Sequence, residues 1–483
     1  MIRLYLDWNV VSNLKKEENK EVFEFIISNK DDLLIPYSPA HFDDLMKSYS
    51  TQNEFFQKDL ELLEYLSDKH FLRWENNRTR LLFVLPSDYF DGENDKIDIS
   101  SLMDMEKIFS ELNEIAIDSG LGQMGETLKL LYKIHPSGIE VNEKSKEILQ
   151  KFFPDISSNS SMWDLMKGIS PLASNLLQNR EFYKDFRKEI ANQGFKLESN
   201  AGNWSEDEVI DRIDNYLKES GVAMTFFEYV ESSFKHRKDP VSRFEFFTTA
   251  YLMLDMIGYK SDRLPKVTDN LQNIQTDGEH AFYAAHCDYF IVGDKTLRIK
   301  AKVLYSKLNI NTKVISPDEM QSELGLAIHR FQEDNGNIMH EILELVKTSA
   351  VVEYYPLTEE NDIETYVFKL PLFYFNFFNY LVYCSYPEQN GAAFTFKRGF
   401  RNYANALYFT ESEKLIDRVV RQFGFLEFKE LEKKKKEFVH EVTETDFVWN
   451  FKGGQTRLEK DPDSMRPTLT FLVTFNKEPD ICD

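Results

Sequence analysis

Two separated stretches of this chain alternate short apolar strands with helices, and no other feature restricts the fold as much. In the first, residues 2–6 (Ile-Arg-Leu-Tyr-Leu) read as a strand that stops at Asp7. A helix follows, with Asn9 or Ser12 as its expected cap and an apolar stripe over Val22, Phe23, Phe25, Ile26 and Ile27 that ends near Asn29. A second strand, Leu33-Leu34-Ile35, runs into Pro36-Tyr37-Ser38-Pro39. Helical character resumes over residues 40–49 and again over 53–70. In the second stretch, residues 241–259 read as a buried helix closed by Gly258. Next come a helix over 277–287, a strand over 289–292, a helix over 296–308 and a strand over 312–315. Strand–helix alternation of this kind implies βαβ units and a parallel sheet, with functional groups at the carboxyl ends of the strands.

Between the two stretches, residues 71–240 carry helical segments (101–117, 124–134, 142–152, 180–192, 206–232) broken by runs rich in Asn, Ser, Asp and Gly, such as 157–161 and 200–203. These read as a helical insertion. Beyond about residue 330 the sequence changes to aromatic alternation, as in Val351-Val352-Glu353-Tyr354-Tyr355, mixed with helices near 411–423 and 428–440. The expected organisation is an α/β core over 1–70 and 241–325, a mostly helical insertion over 71–240, and a C-terminal α+β domain over 326–483. At 483 residues the chain exceeds what one hydrophobic core usually organises. Its 40 Phe and 23 Tyr exclude the aromatic-poor composition of disordered chains.

Charge and cysteine content narrow the function classes. With 81 acidic against 58 basic residues the net charge is −23, which excludes a protein that coats nucleic acid by counterion displacement; any such contact must be local or supplied by a partner. Three cysteines without a CxxC pair support neither a disulfide framework nor a thiolate zinc site, and a reducing compartment is expected. Asp7 interrupts the apolar N-terminus as no signal peptide would. The most apolar later run, residues 370–383, is shorter than the roughly 20 residues of a membrane span. The expectation is a cytoplasmic protein without a membrane partner.

Sequence-distant acids then converge. Asp7 ends the first strand, Asp44 lies in the helix after the second beside Asp43, Asp277 opens the helix before the 289–292 strand, and Asp294 ends that strand. Hard divalent cations prefer oxygen ligands, and one Asp holds Mg²⁺ weakly, so several carboxylates gathered from different strands suit a metal-dependent phosphodiesterase. At these residues the chain resembles PIN domain nucleases. The resemblance rests on Leu4-Tyr5-Leu6-Asp7-Trp8-Asn9-Val10-Val11, on Ser38 followed by Asp44-Leu45, on Asp277 through Ala284-Ala285, and on Cys287-Asp288-Tyr289-Phe290-Ile291-Val292-Gly293-Asp294-Lys295. It covers about residues 1–70 and 241–325. The sequence departs from the family at Trp8, at Val292 and in having Asp rather than Glu at position 44; Glu279 and His280 compete with Asp277 for the third acid position.

The resemblance implies a hydrolase of RNA or other single-stranded nucleic acid, an endoribonuclease using Mg²⁺ or Mn²⁺ held by Asp7, Asp44, Asp277 and Asp294. Asn9 would hold a water or the Asp7 carboxylate, and Lys295, Arg298 and Lys300 would face the scissile phosphate, with Lys302 continuing a basic face. The large extra regions suit a toxin or antiphage enzyme held silent until a protein partner engages 71–240 or 326–483. Two rival readings stand beside this one. A haloacid-dehalogenase-like phosphatase needs a second Asp where Asn9 stands. A PIN-like scaffold would use the extra mass for binding alone. His41, His280 and His286 lack metal-site spacing and read as packed histidines, although His280 shares a helix face with Asp277. The Lys433–Lys436 run reads as a solvated face, whereas Lys397-Arg398-Gly399-Phe400-Arg401, flanked by Phe394, Phe396 and Tyr403, reads as a phosphate-binding and stacking surface.

Overall fold

The computed structural model describes residues 1–47, 54–93, 107–111, 114, 124–137, 151–152, 156–157, 159–192, 197, 201–221, 223–235, 239–264, 269–330, 338–358, 363–386, 390–399, 406–424, 428–441 and 445–474. Phe400, Arg401, Tyr403 and most of the helices expected over 101–117 and 142–152 lie outside them.

Strands β1 (Ile2–Leu6), β2 (Leu33–Leu34), β5 (Tyr289–Ile291) and β6 (Lys313–Ile315) form a four-stranded sheet in the order β2-β1-β5-β6. Every pairing is parallel, with Arg3 opposite Leu34, Leu6 opposite Ile291 and Ile291 opposite Ile315. The side chains alternate between two cores as a strand's period of two requires. Leu4, Leu6, Tyr289, Ile291 and Ile315 pack with the helices Trp8–Asn13, Lys20–Ser28, Pro39–Lys47, Glu54–Ser67 and Pro317–Ala327. Tyr5, Phe290, Val292 and Val314 pack with Arg243–Met256, Leu271–Ala284 and Lys295–Lys307. The chain is thus an α/β protein with a parallel sheet flanked by helices. Because β1 has β2 on one side and β5 on the other, its carboxyl end is the topological switch point, where a crevice opens in such sheets.

Three boundaries differ from the expectation. Asp7 itself is the N-cap of Trp8–Asn13, so neither Asn9 nor Ser12 serves as cap. The helix expected to open at Asp277 starts at Leu271, because Asn270 and Asn273 close a reciprocal capping box; Asp277 therefore lies in the helix interior. Residues 70–83 are a β-hairpin, β3 (His70–Glu75) with β4 (Arg78–Phe83), at the start of the insertion that was expected to be mostly helical. Its two-residue turn is Asn76-Asn77, both at positive φ, the conformation that suits tight hairpins and that Asn tolerates. A parallel bridge from Phe71 to Tyr37 joins the hairpin to the main sheet.

The insertion is not a separate unit. Tyr183, Val209, Ile213, Leu217 and Phe226, from the helices Arg180–Asn192, Val209–Glu219 and Phe226–Ser232, share one core with Phe290 of the sheet. A further helix, Met162–Gln178, starts from a capping box between Ser161 and Asp164.

The C-terminal part is α+β. Strands β7 (Ala350–Tyr355), β8 (Glu364–Tyr374), β9 (Phe378–Tyr386), β10 (Gly391–Lys397), β11 (Phe447–Phe451), β12 (Gly454–Lys460) and β13 (Pro467–Thr474) form a seven-stranded antiparallel sheet. Helices Ile338–Thr348 and Phe409–Phe423 pack on it. This domain docks on the amino-terminal ends of the parallel strands. There Arg3 pairs with Glu411 at 2.7 Å, and Arg398 bonds Asp288 at 2.5 Å and the Met1 carbonyl at 2.9 Å. Arg418 reaches Asp32 at 3.1 Å. Arg398 is thus spent on the interdomain contact, and Lys397 bonds Asp461 at 3.2 Å. Among the described residues no helix is long and apolar enough to cross a membrane.

Candidate metal centre

Asp7 is placed by the strand and by the helix that follows. Its backbone N–H donates to the Ile291 carbonyl at 3.0 Å, and its own carbonyl accepts from Val10 and Val11. The carboxylate makes no capping hydrogen bond, is 1% exposed, and its Oδ2 has no hydrogen-bond partner among the described residues. Burial, reinforced by Asp44 and Asp294 and opposed by His280, pushes its pKa up to about 6.

Asp44 reaches the same place from the Pro39–Lys47 helix. Its Oδ1 accepts from Lys47 at 2.6 Å, and its Oδ2 lies 3.0 Å from His280 Nε2. Burial raises its pKa, but His280 and Lys47 outweigh that and hold it down to about 2. Ligand atoms of Asp7, Asp44 and His280 all lie within 4.8 Å of one another.

Behind these groups runs a buried hydrogen-bond chain that fixes the His280 ring. Its Nδ1 is 2.9 Å from the Tyr5 hydroxyl, which is 2.6 Å from Ser38 Oγ. The adjacent His41 accepts the Ser38 N–H at Nδ1, so its Nε2 donates to the Leu6 carbonyl at 2.9 Å. Burial pushes that imidazole down to about 3, and it stays neutral. His280 is also fully buried, which lowers its pKa, but Asp44 and then Asp7 more than reverse this. A carboxylate accepts only, so His280 donates from Nε2 and orients Asp44, as carboxylate–histidine pairs do around metals.

Asp277 stands on the Leu271–Ala284 helix one turn before His280. Burial, then the charges of Asp7, Asp44 and Asp294, raise its pKa well above the usual carboxylate range. Glu279 instead accepts from Gln275 at 3.1 Å on the exposed side of that helix. Asp294 ends the segment after β5 and caps Lys295–Lys307, taking the Leu297 N–H at 2.8 Å; it is exposed, and its charge reaches both Asp7 and Asp277. Of the four acids expected to converge, Asp7 and Asp44 are brought together with His280 at the carboxyl end of β1; Asp277 stands one turn before His280 on its helix, and Asp294 caps the helix after β5.

Two expected residues are not there. Asn9 is exposed, because helix begins at Trp8 and two helical residues turn a side chain about 200° away from Asp7. Lys300 is 1% exposed and bonds Asp255 Oδ1 at 2.7 Å, so it faces the core, whereas Lys295 and Arg298 lie toward solvent and make no ion pair among the described residues. Asp255, which sequence reasoning missed, also accepts from Tyr183 and Arg187 and from the Asp262 N–H. The available signal was a lone acid inside the apolar run Tyr251-Leu252-Met253-Leu254-Asp255-Met256-Ile257.

Lys300 is spent on Asp255 and Lys47 on Asp44, and the Asp7 carboxylate makes no ion pair with a lysine or arginine among the described residues. An orphaned buried carboxylate oxygen on Asp7 beside the Asp44 carboxylate, which the His280 imidazole orients, fits a hard divalent cation. Comparison with family models, curated proteins and solved structures returned no match.

Proposed function

We propose that this chain is a metal-dependent nuclease of the PIN-like type, hydrolysing phosphodiester bonds in RNA or single-stranded nucleic acid with Mg²⁺ or Mn²⁺. The observation that carries the reading is Asp7 Oδ2, buried and without a hydrogen-bond partner among the described residues, on a carboxylate grouped with Asp44 and His280 at the switch point of a parallel sheet. Uncompensated buried charge is costly and is retained where a ligand neutralises it. Asp7, Asp44 and His280 come from three of the four segments that carry the resemblance.

Asp7, Asp44, Asp277 and Asp294 would hold the cation. When bound it supplies charge neutralisation at the phosphate and water activation near neutral pH. His280 keeps the Asp44 carboxylate in one orientation. Lys295 and Arg298, on the outer face of the helix that Asp294 caps, contact the phosphate chain, a local basic patch on an acidic body. The C-terminal sheet docks at the opposite edge of the parallel sheet, which leaves the carboxyl edge uncovered by that domain. The phosphatase reading loses support, since Asn9 is neither an acid nor turned toward Asp7.

The test is incubation of the purified chain with end-labelled single-stranded RNA, single-stranded DNA and tRNA, in Mn²⁺, Mg²⁺ or EDTA. Cleavage that leaves 3′-hydroxyl ends and disappears with EDTA and in Asp294→Asn is expected. Cleavage that survives both would assign the activity elsewhere. Para-nitrophenyl phosphate turnover lost in Asp7→Asn would restore the phosphatase.

A further inference from the structure

The C-terminal sheet ends at β7, which pairs with β8 and has no strand on its other side among the described residues. All six of its residues are exposed, and Val351, Val352, Tyr354 and Tyr355 are each between 42% and 52% exposed. An edge strand is a template for another strand, and edges that stay unpaired are ordinarily covered or are blunted by lysine, proline or a bulge. β7 has a register shift between Val351 and Glu353 and ends before Pro356, yet it holds no lysine and presents four large apolar side chains. A strip of this kind marks an interaction site for a short strand.

One row of aromatic rings crosses this sheet and stops at that edge. Phe471 of β13 stands opposite Phe394 of β10, Phe394 opposite Tyr383 of β9, Tyr383 opposite Tyr366 of β8, and Tyr366 opposite Tyr354 of β7. Ring centroids are 5.1 Å apart for Phe394 and Tyr383 and 4.6 Å apart for Tyr366 and Tyr354. The inner rings pack in the core beneath the helices, whereas Tyr354 lies outside it as the last rung. Its hydroxyl and that of Tyr366 both donate to Glu364 Oε1 at 3.0 Å, which holds the rung in place. Glu353, on the other face of the strand, accepts from the Tyr355 hydroxyl at 2.9 Å. A strand added beside β7 therefore sets one side chain against the Tyr354 ring and its neighbour against the Glu353 carboxylate.

Charge decides which strand fits. Residues 350–364 carry five acids and no lysine or arginine. A second copy of the chain would bring this segment against its own acids, and like charges opposite one another destabilise a strand pair. We infer that β7 docks an extended segment of a partner protein, which joins the seven-stranded sheet at its edge with an aromatic residue continuing the row beyond Tyr354 and a lysine or arginine beside it, opposite Glu353. Main-chain hydrogen bonds supply the affinity of such an addition, and the ring and the cation supply its selectivity. The inference does not rest on the nuclease reading, because the docking edge belongs to the C-terminal sheet and stands whether or not RNA is cleaved.

The test is fluorescence anisotropy of the full chain with two labelled peptides, Thr-Val-Lys-Phe-Lys-Val-Thr and the same peptide with Glu in place of both Lys, and with the exposed-site variants Glu353→Lys and Tyr354→Thr. Hydrogen exchange over residues 350–355 is followed in the complex. The expected result is that the lysine peptide binds about tenfold more tightly than the glutamate peptide and slows exchange in β7, and that Glu353→Lys reverses the preference. Tyr354→Thr keeps a strand-forming residue and should weaken the lysine peptide by about threefold or more. No binding of the lysine peptide, equal binding of the two peptides, or a preference that Glu353→Lys leaves unchanged overturns the inference. Dimerisation of the chain alone that Tyr354→Thr abolishes also overturns it, because β7 then belongs to a second copy.

Discussion

Replacing Asp7 by Asn should stabilise the metal-free chain while abolishing its response to divalent cations. The Asp7 carboxyl is 1% exposed, and its pKa rises from 3.8 to about 6 on folding, largely through burial. Each pKa unit corresponds to about 1.4 kcal/mol, so holding the charged form costs the folded state roughly 3 kcal/mol above pH 6. The folded state binds this proton more tightly than the unfolded state. The penalty is therefore absent below about pH 4, grows between about pH 4 and pH 6, and is fully present at pH 8. Asparagine carries no charge to bury, so in EDTA at pH 8 the Asp7→Asn chain should unfold at a higher urea concentration, with the difference closing toward pH 4. Mn²⁺ should raise the wild-type midpoint, since a ligand that binds only the folded state stabilises it by mass action, and should leave the variant's midpoint nearly unmoved. A variant less stable than wild type in EDTA at pH 8 would refute the reasoning, because Asp7 would then have a compensating partner.

Lysines on one helix should separate by role. Lys300→Met should destabilise the chain by about 3 kcal/mol or more, as breaking a buried pair does, whereas Lys295→Ala should leave thermal unfolding within about 0.5 kcal/mol of wild type and reduce the salt dependence of RNA binding. His280→Ala should weaken Mn²⁺ binding by about tenfold or more in calorimetry, by freeing Asp44 to rotate and leaving the Tyr5 hydroxyl one partner fewer. Glu411, held down to about 2 despite its burial, is stabilising above pH 4.5 and loses that contribution as pH falls toward 2; Glu411→Gln should expose the interdomain boundary to limited proteolysis at neutral pH.

Much of this architecture was legible because strand-end acids and alternating apolar faces leave local marks. Residues 2–6 and 289–292 read as strands, and Asp7 and Asp294 follow from where those strands stop. Three things were hidden. The start of the helix containing Asp277 depends on a capping box between Asn270 and Asn273 that lies outside the apolar stripe. The side of the Lys295–Lys307 helix that is buried depends on the Arg243–Met256 helix, whose Asp255 and Tyr251 take up Lys300 from some 45 residues away. Tyr5 reads as an ordinary inward-facing strand residue, and only the fold shows that its hydroxyl meets His280 and Ser38. The hairpin over 70–83 did leave a signal, Asn76-Asn77 between two apolar and aromatic runs, which the surrounding helical segments obscured.

The central claim is that the carboxylates gathered around Asp7 form a cation-dependent phosphodiesterase centre. Single-turnover cleavage of end-labelled single-stranded RNA, at saturating Mn²⁺ and with Asp7→Asn beside the wild type, tests it most directly. The account predicts cleavage by the wild type that EDTA stops, and loss of at least about a hundredfold in rate for a variant that remains folded. Equal rates for the two chains, or cleavage that persists in EDTA, would contradict it.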